Sequence, residues 1–172
     1  GDELTSLPYR LRLLAPRFFR VFRRADQIQV ISNYLGRWAR QMGATCPITM
    51  VPNGVDLEKF KVQSEKLKTI TQNFKTIITT SRLVKKNGID ILIESLRFLP
   101  DNVRLQILGT GPEEMSLKQL LSRRRLDSRV EFLGQVPPCE ILNYLVQADV
   151  FVRASRSEGL GNSFLEAMAA AV

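Results

Sequence analysis

Two carboxylates near the end of the sequence flank residues that suit an anion site. Seven residues separate Glu158 from Glu166, and they include two glycines followed by Asn162 and Ser163. Glycines let a backbone approach a ligand closely, and a helix start leaves N–H groups that no intrahelical carbonyl satisfies. Such N–H groups and the positive end of the helix dipole favour a phosphate. Carboxylates on either side could accept hydrogen bonds from hydroxyls. This combination predicts a nucleotide-sugar pocket.

A structural interpretation of the same residues competes with this one. Ser163 and Glu166 have the Ser-x-x-Glu form of a capping box, in which the glutamate serves only the helix start. Glu158 could be a solvated loop carboxylate, since charged residues are mostly exposed. The pair alone favours these structural roles, and the upstream sequence shifts the balance toward a site.

A basic loop upstream could supply the cations that a diphosphate needs. Residues 81–88 follow an apolar strand and contain Arg82, Lys85 and Lys86. A guanidinium can bind a diphosphate through two parallel hydrogen bonds, and lysines add positive charge. A basic loop by itself is usually only solvated, so its position relative to the Glu158 loop decides its role.

The composition narrows the chemistry. The 172 residues carry a formal net charge of +8, which suggests an acidic partner such as nucleic acid, an anionic membrane or a phosphorylated small molecule. There is no histidine, which excludes Ser-His-Asp and Cys-His catalysis and most zinc sites in this chain. The two solitary cysteines, Cys46 and Cys139, fit a reducing compartment and give no metal-ligand spacing. We therefore predict no metal site and no cofactor.

A regular alternation of strands and helices predicts how these loops are positioned. Apolar strands are expected at 76–80, 103–108, 130–133 and 149–153, each followed by a helix. Four such units indicate an α/β fold, a Rossmann-like parallel sheet with helices on both faces. Ligands bind such sheets at the carboxyl ends of the strands, where the basic loop and the Glu158 loop both lie.

Two further segments receive a structural interpretation. Gly109-Thr-Gly111 lacks the third glycine of a dinucleotide fingerprint, and Glu113 and Glu114 would repel a phosphate. We expect a structural loop there, with Pro112 at the first helical position. Residues 9–25 combine arginines with phenylalanines at helical spacing. They predict either an amphipathic helix on an anionic membrane or, as we favour, a helix covering a sheet with its arginines in water.

Taken in order, these motifs resemble those of glycosyltransferase family 4, the retaining nucleotide-sugar transferases of GT-B fold. The similarity runs from about residue 25 to the end. It includes Val51-Pro-Asn-Gly-Val-Asp56, which is similar to the family's interdomain hinge, and Ser81-Arg-Leu83, Gly109-Thr-Gly-Pro112, Phe132-Leu-Gly134 and the 158–170 stretch. The resemblance implies a partial GT-B fold. Residues 1–56 would end an acceptor-side domain, 57–74 would be a linker, and 75–172 would be a truncated nucleotide-sugar-binding domain.

The resemblance also implies roles for individual residues. Glu166 would hold the ribose hydroxyls, Glu158 the donor sugar, and Arg82 the diphosphate. Backbone N–H groups of Gly161, Asn162 and Ser163 would face phosphate or sugar, and the base would lie near Gln135 and Val136. Glu158 and Arg82 are the residues expected to act in catalysis.

Three positions depart from the family pattern. Asn87 stands where the family usually has lysine, so Lys86 is the candidate replacement. Ala154-Ser155 replaces the common Pro-Ser, and Ala171 occupies the position of a usual glycine.

The resulting expectation is an enzyme that transfers a sugar from a nucleotide-diphosphate donor to a sugar or lipid-linked acceptor, with retention. We expect a cytoplasmic protein, at the inner face of a membrane if the basic helix contacts anionic lipid. The alternatives are a GT-B nucleotide-sugar epimerase and a basic nucleic-acid-binding module. The latter is disfavoured because Arg123-Arg124-Arg125 has no aromatic residue among it for base stacking.

Overall fold

The computed structural model describes residues 15–56, 74–156 and 161–172. They fall into two compact units, which divide between Gly54 and Val55. Most of the predicted linker, residues 57–73, lies outside the described residues, so the predicted domain boundaries stay a prediction. Each unit is described by itself below.

The first unit contains two short helices and two parallel strands. The elements are α1 (Ala15–Arg24), β1 (Ile28–Val30), α2 (Asn33–Gln41) and β2 (Ile48–Met50). The two strands pair in parallel from Ile28 opposite Ile48 to Val30 opposite Met50. Helix α2 begins as its sequence predicts, because the Ser32 hydroxyl accepts a hydrogen bond from Leu35 N at 3.3 Å. It ends at Gly43, whose φ of +94° suits glycine.

Helix α1 packs its aromatic side chains on α2. The ring centroids of Phe18 and Phe22 lie 6.1 Å and 5.4 Å from that of Trp38, in edge-on contacts. Arg17, Arg20 and Arg24 are exposed on the helix. Helix α1 therefore has a packed aromatic side and arginines in water, as the favoured interpretation predicts, although the described contacts are to a helix and not to a sheet.

The second unit alternates strands with helices throughout. In order, its elements are β3 (Lys75–Thr80), α3 (Ile89–Ser95), β4 (Val103–Leu108), α4 (Glu114–Arg124), β5 (Val130–Gly134), α5 (Pro138–Leu145), β6 (Val150–Phe151) and α6 (Asn162–Ala169). Single 3₁₀ turns occupy Lys85–Asn87 and Leu96–Phe98. Strand β6 is shorter than the predicted 149–153, because its ladder with β3 covers only Val150 and Phe151.

The four strands of this unit form a parallel sheet in the order β5-β4-β3-β6. Two separate cores lie against it. One joins α3 and α4 to the sheet through Leu92, Leu105 and Leu117, and the other joins α5 and α6 through Ile78, Leu142 and Ala167. Helices therefore cover both faces, and the predicted Rossmann-like α/β fold is confirmed.

An ion pair at the amino end of the sheet fixes the start of β6 against β3. The Asp149 carboxylate accepts hydrogen bonds from Lys75 Nζ at 2.8 Å and from Thr76 N at 2.7 Å. The lysine, followed by the backbone N–H, holds the pKa of Asp149 below its usual value. This contact supplements a strand whose own ladder is very short.

Helix α6 ends in a Schellman motif built on alanine. Ala171 N donates to Met168 O, and Val172 N donates to Ala167 O at 3.1 Å. The motif requires a left-handed residue, and Ala171 has a φ of +59°. A methyl group in this region is strained by roughly 1–2 kcal/mol, which explains why glycine is the usual residue at such a position.

Replacing Ala171 with glycine should stabilise the protein. Relief of the left-handed strain outweighs the entropy that glycine adds to the unfolded chain, for a net gain of about 0.5–1 kcal/mol. Urea unfolding measures this gain. Ala170→Gly is the matched control, because Ala170 is buried with a φ of −80°, and that change should destabilise. Loss of stability in Ala171→Gly would contradict the strain argument.

Candidate functional site

The strand order places one crevice at the carboxyl edge of the sheet. The chain runs outward from β3 to β4 to β5, and then returns to place β6 on the other side of β3. The loops after β3 and β6 therefore leave the sheet toward opposite faces, and this reversal of direction is where parallel sheets bind ligands. The basic loop follows β3, and the segment leading into α6 follows β6.

The loop after β3 presents its cations on a fixed backbone. Arg82, Lys85 and Lys86 are exposed, whereas Asn87 is buried. The Asn87 side-chain amide donates to Arg82 O at 2.7 Å, and its backbone N donates to Val84 O. The asparagine that replaces the family's lysine thus serves the loop itself, which leaves the lysine function to Lys85 or Lys86.

The glycines of the neighbouring loop support this basic loop from below. A Cβ at Gly109 would lie 2.0 Å from Ser81 O, and a Cβ at Gly111 would lie 2.3 Å from Leu83 O. Two backbone hydrogen bonds join the loops, from Leu83 N to Thr110 O and from Glu113 N to Leu83 O. Gly109-Thr-Gly111 therefore has the structural role that its sequence indicates. The prediction that Pro112 occupies the first helical position is wrong, because α4 begins two residues later, after the cap at Glu113.

Gly109→Ala should destabilise the protein by about 2–4 kcal/mol. The added methyl would collide with a backbone carbonyl that cannot rotate away, at a residue whose φ of +131° already disfavours alanine. Gly54→Ala is the control, because a Cβ there meets no atom within 4 Å. Chemical denaturation measures both variants, and equal small effects would contradict the close-approach argument.

A second close approach joins the loop after β3 to the loop after β6. Gly88 has a φ of +67°, and a Cβ there would lie 2.0 Å from Ala154 O. Arg156 adds three bonds across the same gap. Its backbone N donates to Lys86 O at 2.7 Å, its side chain donates to Lys85 O, and a second guanidinium nitrogen meets Asp90 at 2.7 Å. The hydrogen bond from Arg156, with its charge, holds the pKa of Asp90 below its usual value. The structure therefore brings Lys86 against the segment that leads into α6.

The predicted capping box at the start of α6 is wrong. Gly161 is the N-cap, with an extended backbone and no side-chain capping bond, so Ser163 is the second helical residue. The Ser163 hydroxyl instead accepts a hydrogen bond from Arg153 at 2.8 Å. Glu166 lies one turn further along and is half-buried. With the third helical position held by Phe164, Glu166 cannot close the box and is available for another role.

The start of α6 keeps the properties of an anion site. Asn162 and Ser163 head the helix, where their N–H groups have no intrahelical carbonyl to reach. The first turn contains no acidic residue. The positive end of the dipole is thus uncompensated by the helix's own side chains, as the sequence predicts for Gly161, Asn162 and Ser163.

The remaining predicted site residues lie apart from this crevice or outside the described residues. Glu158 is in the undescribed segment 157–160. Gln135 is exposed directly after β5, and Val136 packs against the core beneath α5. Two strand spacings, about 10 Å, separate β5 from β3. Along the described part of the chain, no group of three or more potential metal ligands occurs, and no helix is long and apolar enough to cross a membrane.

Two arginines of the site are not among the residues that the sequence predicts for it. Arg153 and Arg156 follow β6 and link its loop to β3 and to the basic loop. The only signal in the sequence is an arginine directly after a short apolar strand that leads into the glycine segment.

The chain is similar to known proteins in both sequence and fold. Residues 61–172 match the family of glycosyl transferases group 1, and the chain belongs to that family. This confirms the resemblance to glycosyltransferase family 4. Known structures agree in fold: Anabaena HepE, in complex with UDP and glucose, aligns with a TM-score of 0.76 and 23% identity over 95% of this chain and 46% of that one.

Three curated relatives illustrate the range of the family. The chain is 36% identical over 124 residues to a phosphatidylinositol N-acetylglucosaminyltransferase of Arabidopsis thaliana, covering 70% of this chain and 27% of that protein. It is 32% identical to the putative colanic acid biosynthesis glycosyltransferase WcaL of Escherichia coli, covering 91% and 40%. A GDP-mannose-dependent phosphatidylinositol monomannoside mannosyltransferase of Corynebacterium glutamicum is 31% identical, covering 86% and 43%. The chain thus spans less than half the length of each.

Proposed function

We propose that this chain binds the donor for an enzyme that transfers a sugar from a nucleotide diphosphate to an acceptor, with retention. One observation carries the proposal. The basic loop after β3 and the acid-free first turn of α6 lie on the two sides of the same reversal in strand order. Family membership and the transferase names of the relatives support the same conclusion.

The order of groups along the site fits a nucleotide sugar. Arg82 and Lys86 supply cations for the diphosphate, and the amides of Gly161, Asn162 and Ser163 add hydrogen bonds at the helix start. Glu166 lies four residues beyond Asn162, a rise of about 6 Å along α6, so it follows the phosphate position as a ribose follows a phosphate. Glu158 is assigned to hydroxyls of the donor sugar, and Gln135 with Val136 to the base.

The chemistry assigned to these groups is electrostatic. Cleavage of the bond between sugar and diphosphate leaves negative charge on the departing phosphate oxygen. Preorganised guanidinium, ammonium and amide donors stabilise that charge more strongly in the transition state than in the bound donor. We assign the neutralising role to Arg82, Lys86 and the α6 amides, and the proposed reaction includes no metal or other cofactor.

Acceptor use separates transfer from the epimerase alternative. Incubation of the intact protein with a nucleotide sugar should release nucleoside diphosphate only when an acceptor is added. Conversion of the donor into an isomeric nucleotide sugar without acceptor would contradict transfer. The relatives' names point to lipid-linked and polysaccharide acceptors, and proton NMR of the anomeric centre in the product tests retention.

Substitution of the two glutamates should have different consequences. If Glu166 binds the ribose, Glu166→Gln weakens both nucleoside diphosphate and nucleotide sugar by about 1.5–3 kcal/mol, because each contains that ribose. If Glu158 contacts only the sugar, Glu158→Gln spares the nucleoside diphosphate and impairs the nucleotide sugar. Calorimetric titration of UDP, GDP and their sugars measures these affinities. Glu140→Gln, at an exposed site on α5, is the control, and unchanged affinities in Glu166→Gln would remove that residue from the site.

A cytoplasmic location, with α1 against the inner face of an anionic membrane, is a further part of the proposal. Arg17, Arg20 and Arg24 are exposed on α1, but Phe18 and Phe22 pack on Trp38 and would have to leave it to insert. We therefore expect weak, electrostatic association with phosphatidylglycerol vesicles, lost as salt rises above about 0.15 M. Sedimentation measures it, with a triple arginine-to-glutamine variant as control. Binding that persists at high salt would indicate insertion instead.

A further inference from the structure

Arg153 lies where the two sides of the crevice meet. It follows β6 directly and is half-buried. One guanidinium nitrogen donates both to Thr80 O, at the carboxyl end of β3, at 3.0 Å, and to the Ser163 hydroxyl in the first turn of α6, at 2.8 Å. The guanidinium carbon also lies 5.9 Å from the centroid of the Phe164 ring. The side chain is thus fixed between the end of β3 and the start of α6.

This placement joins two positive features. The first turn of a helix is the positive end of its dipole, and a carboxylate or other anion is the favourable neighbour there. In α6 no acidic residue occupies that turn, and a guanidinium is hydrogen-bonded to its second residue. A cation in this position is unfavourable for the isolated helix. An anion that contacts both the guanidinium and the helix amides would reverse the sign of the interaction.

We propose that Arg153 is a ligand of the donor's diphosphate, in addition to Arg82 and Lys86. The assignment rests on the proposed donor-binding function. A guanidinium can serve two phosphate oxygens at once, and the bonds to Thr80 and Ser163 orient it before the donor arrives. Because the side chain is already ordered, little conformational entropy remains to be lost on binding. Arg153 then sets selectivity for a diphosphate over an uncharged nucleoside.

The test compares ligands that differ only in charge. UDP, GDP, uridine and guanosine are titrated into the intact protein and into Arg153→Gln, which keeps a donor for Thr80 and Ser163 but loses the charge. We expect Arg153→Gln to weaken UDP or GDP at least tenfold while the affinity for the matching nucleoside is unchanged. Arg153→Lys, which keeps the charge but not the fork of donors, should show a smaller loss, again confined to the diphosphate.

Each alternative gives a different result. If Arg153 only bridges Thr80 and Ser163, both variants weaken nucleoside and diphosphate by the same factor, which would overturn the assignment, as would unchanged diphosphate affinity in Arg153→Gln. The ratio is read separately in each variant, so either one decides the question if the other fails to fold. Arg104→Gln, an exposed arginine near the amino end of β4, controls for overall charge. A wild-type protein that binds neither UDP nor GDP would refute the proposed function, and the Arg153 assignment with it.

Discussion

The site depends on backbones that approach one another more closely than side chains would permit. Carbonyl oxygens of Ser81, Leu83 and Ala154 occupy the space where a Cβ would stand on Gly109, Gly111 and Gly88. These contacts stack the loops after β3, β4 and β6 against one another at the carboxyl edge of the sheet. Loops held this way have little freedom to move, so the cations they present are preorganised for an anion. Asn87 and Arg156 complete the arrangement with polar bonds that a glycine cannot make.

The charges in this region are balanced unequally. Away from the crevice, basic side chains pair with acids, as in Lys75 with Asp149 and Arg124 with Glu94. Arg156 likewise pairs with Asp90 at the outer side of the basic loop. Toward the crevice, exposed Arg82 and Lys86 and the helix start share one sign, together with Arg153. A surface of one sign inside a cleft attracts and orients a phosphorylated ligand before contact.

Much of this architecture could be predicted from the sequence. Apolar strands such as 103–108, bounded by turn residues, identify themselves by composition, and Ser32 and Gly43 mark the ends of α2 by their capping chemistry. The start of α6 differs from its prediction, because Ser-x-x-Glu has the form of a capping box and nothing local reveals that Arg153 engages the Ser163 hydroxyl. The same limit explains why the roles of Asn87, Arg153 and Arg156 could not be predicted. Their partners are brought close only by the tertiary fold, and in the case of Arg153 and Thr80 they are 73 residues apart.

That sequence separation has a consequence for how the protein folds. Neighbouring strands β4 and β5 join residues only 25 apart, as in Gln106 and Glu131, whereas β6 must find β3 across a much longer closed loop. Closing the longer loop costs more chain entropy, and only two residues of ladder repay it. We expect β6 and α6 to dock last, after a nucleus of β3 and β4 has formed. Protection of amide hydrogens during refolding would report this order, and simultaneous protection of β4 and β6 would exclude it. Assembly of the crevice is then the closing event of folding, and a bound donor would act chiefly by slowing its reopening.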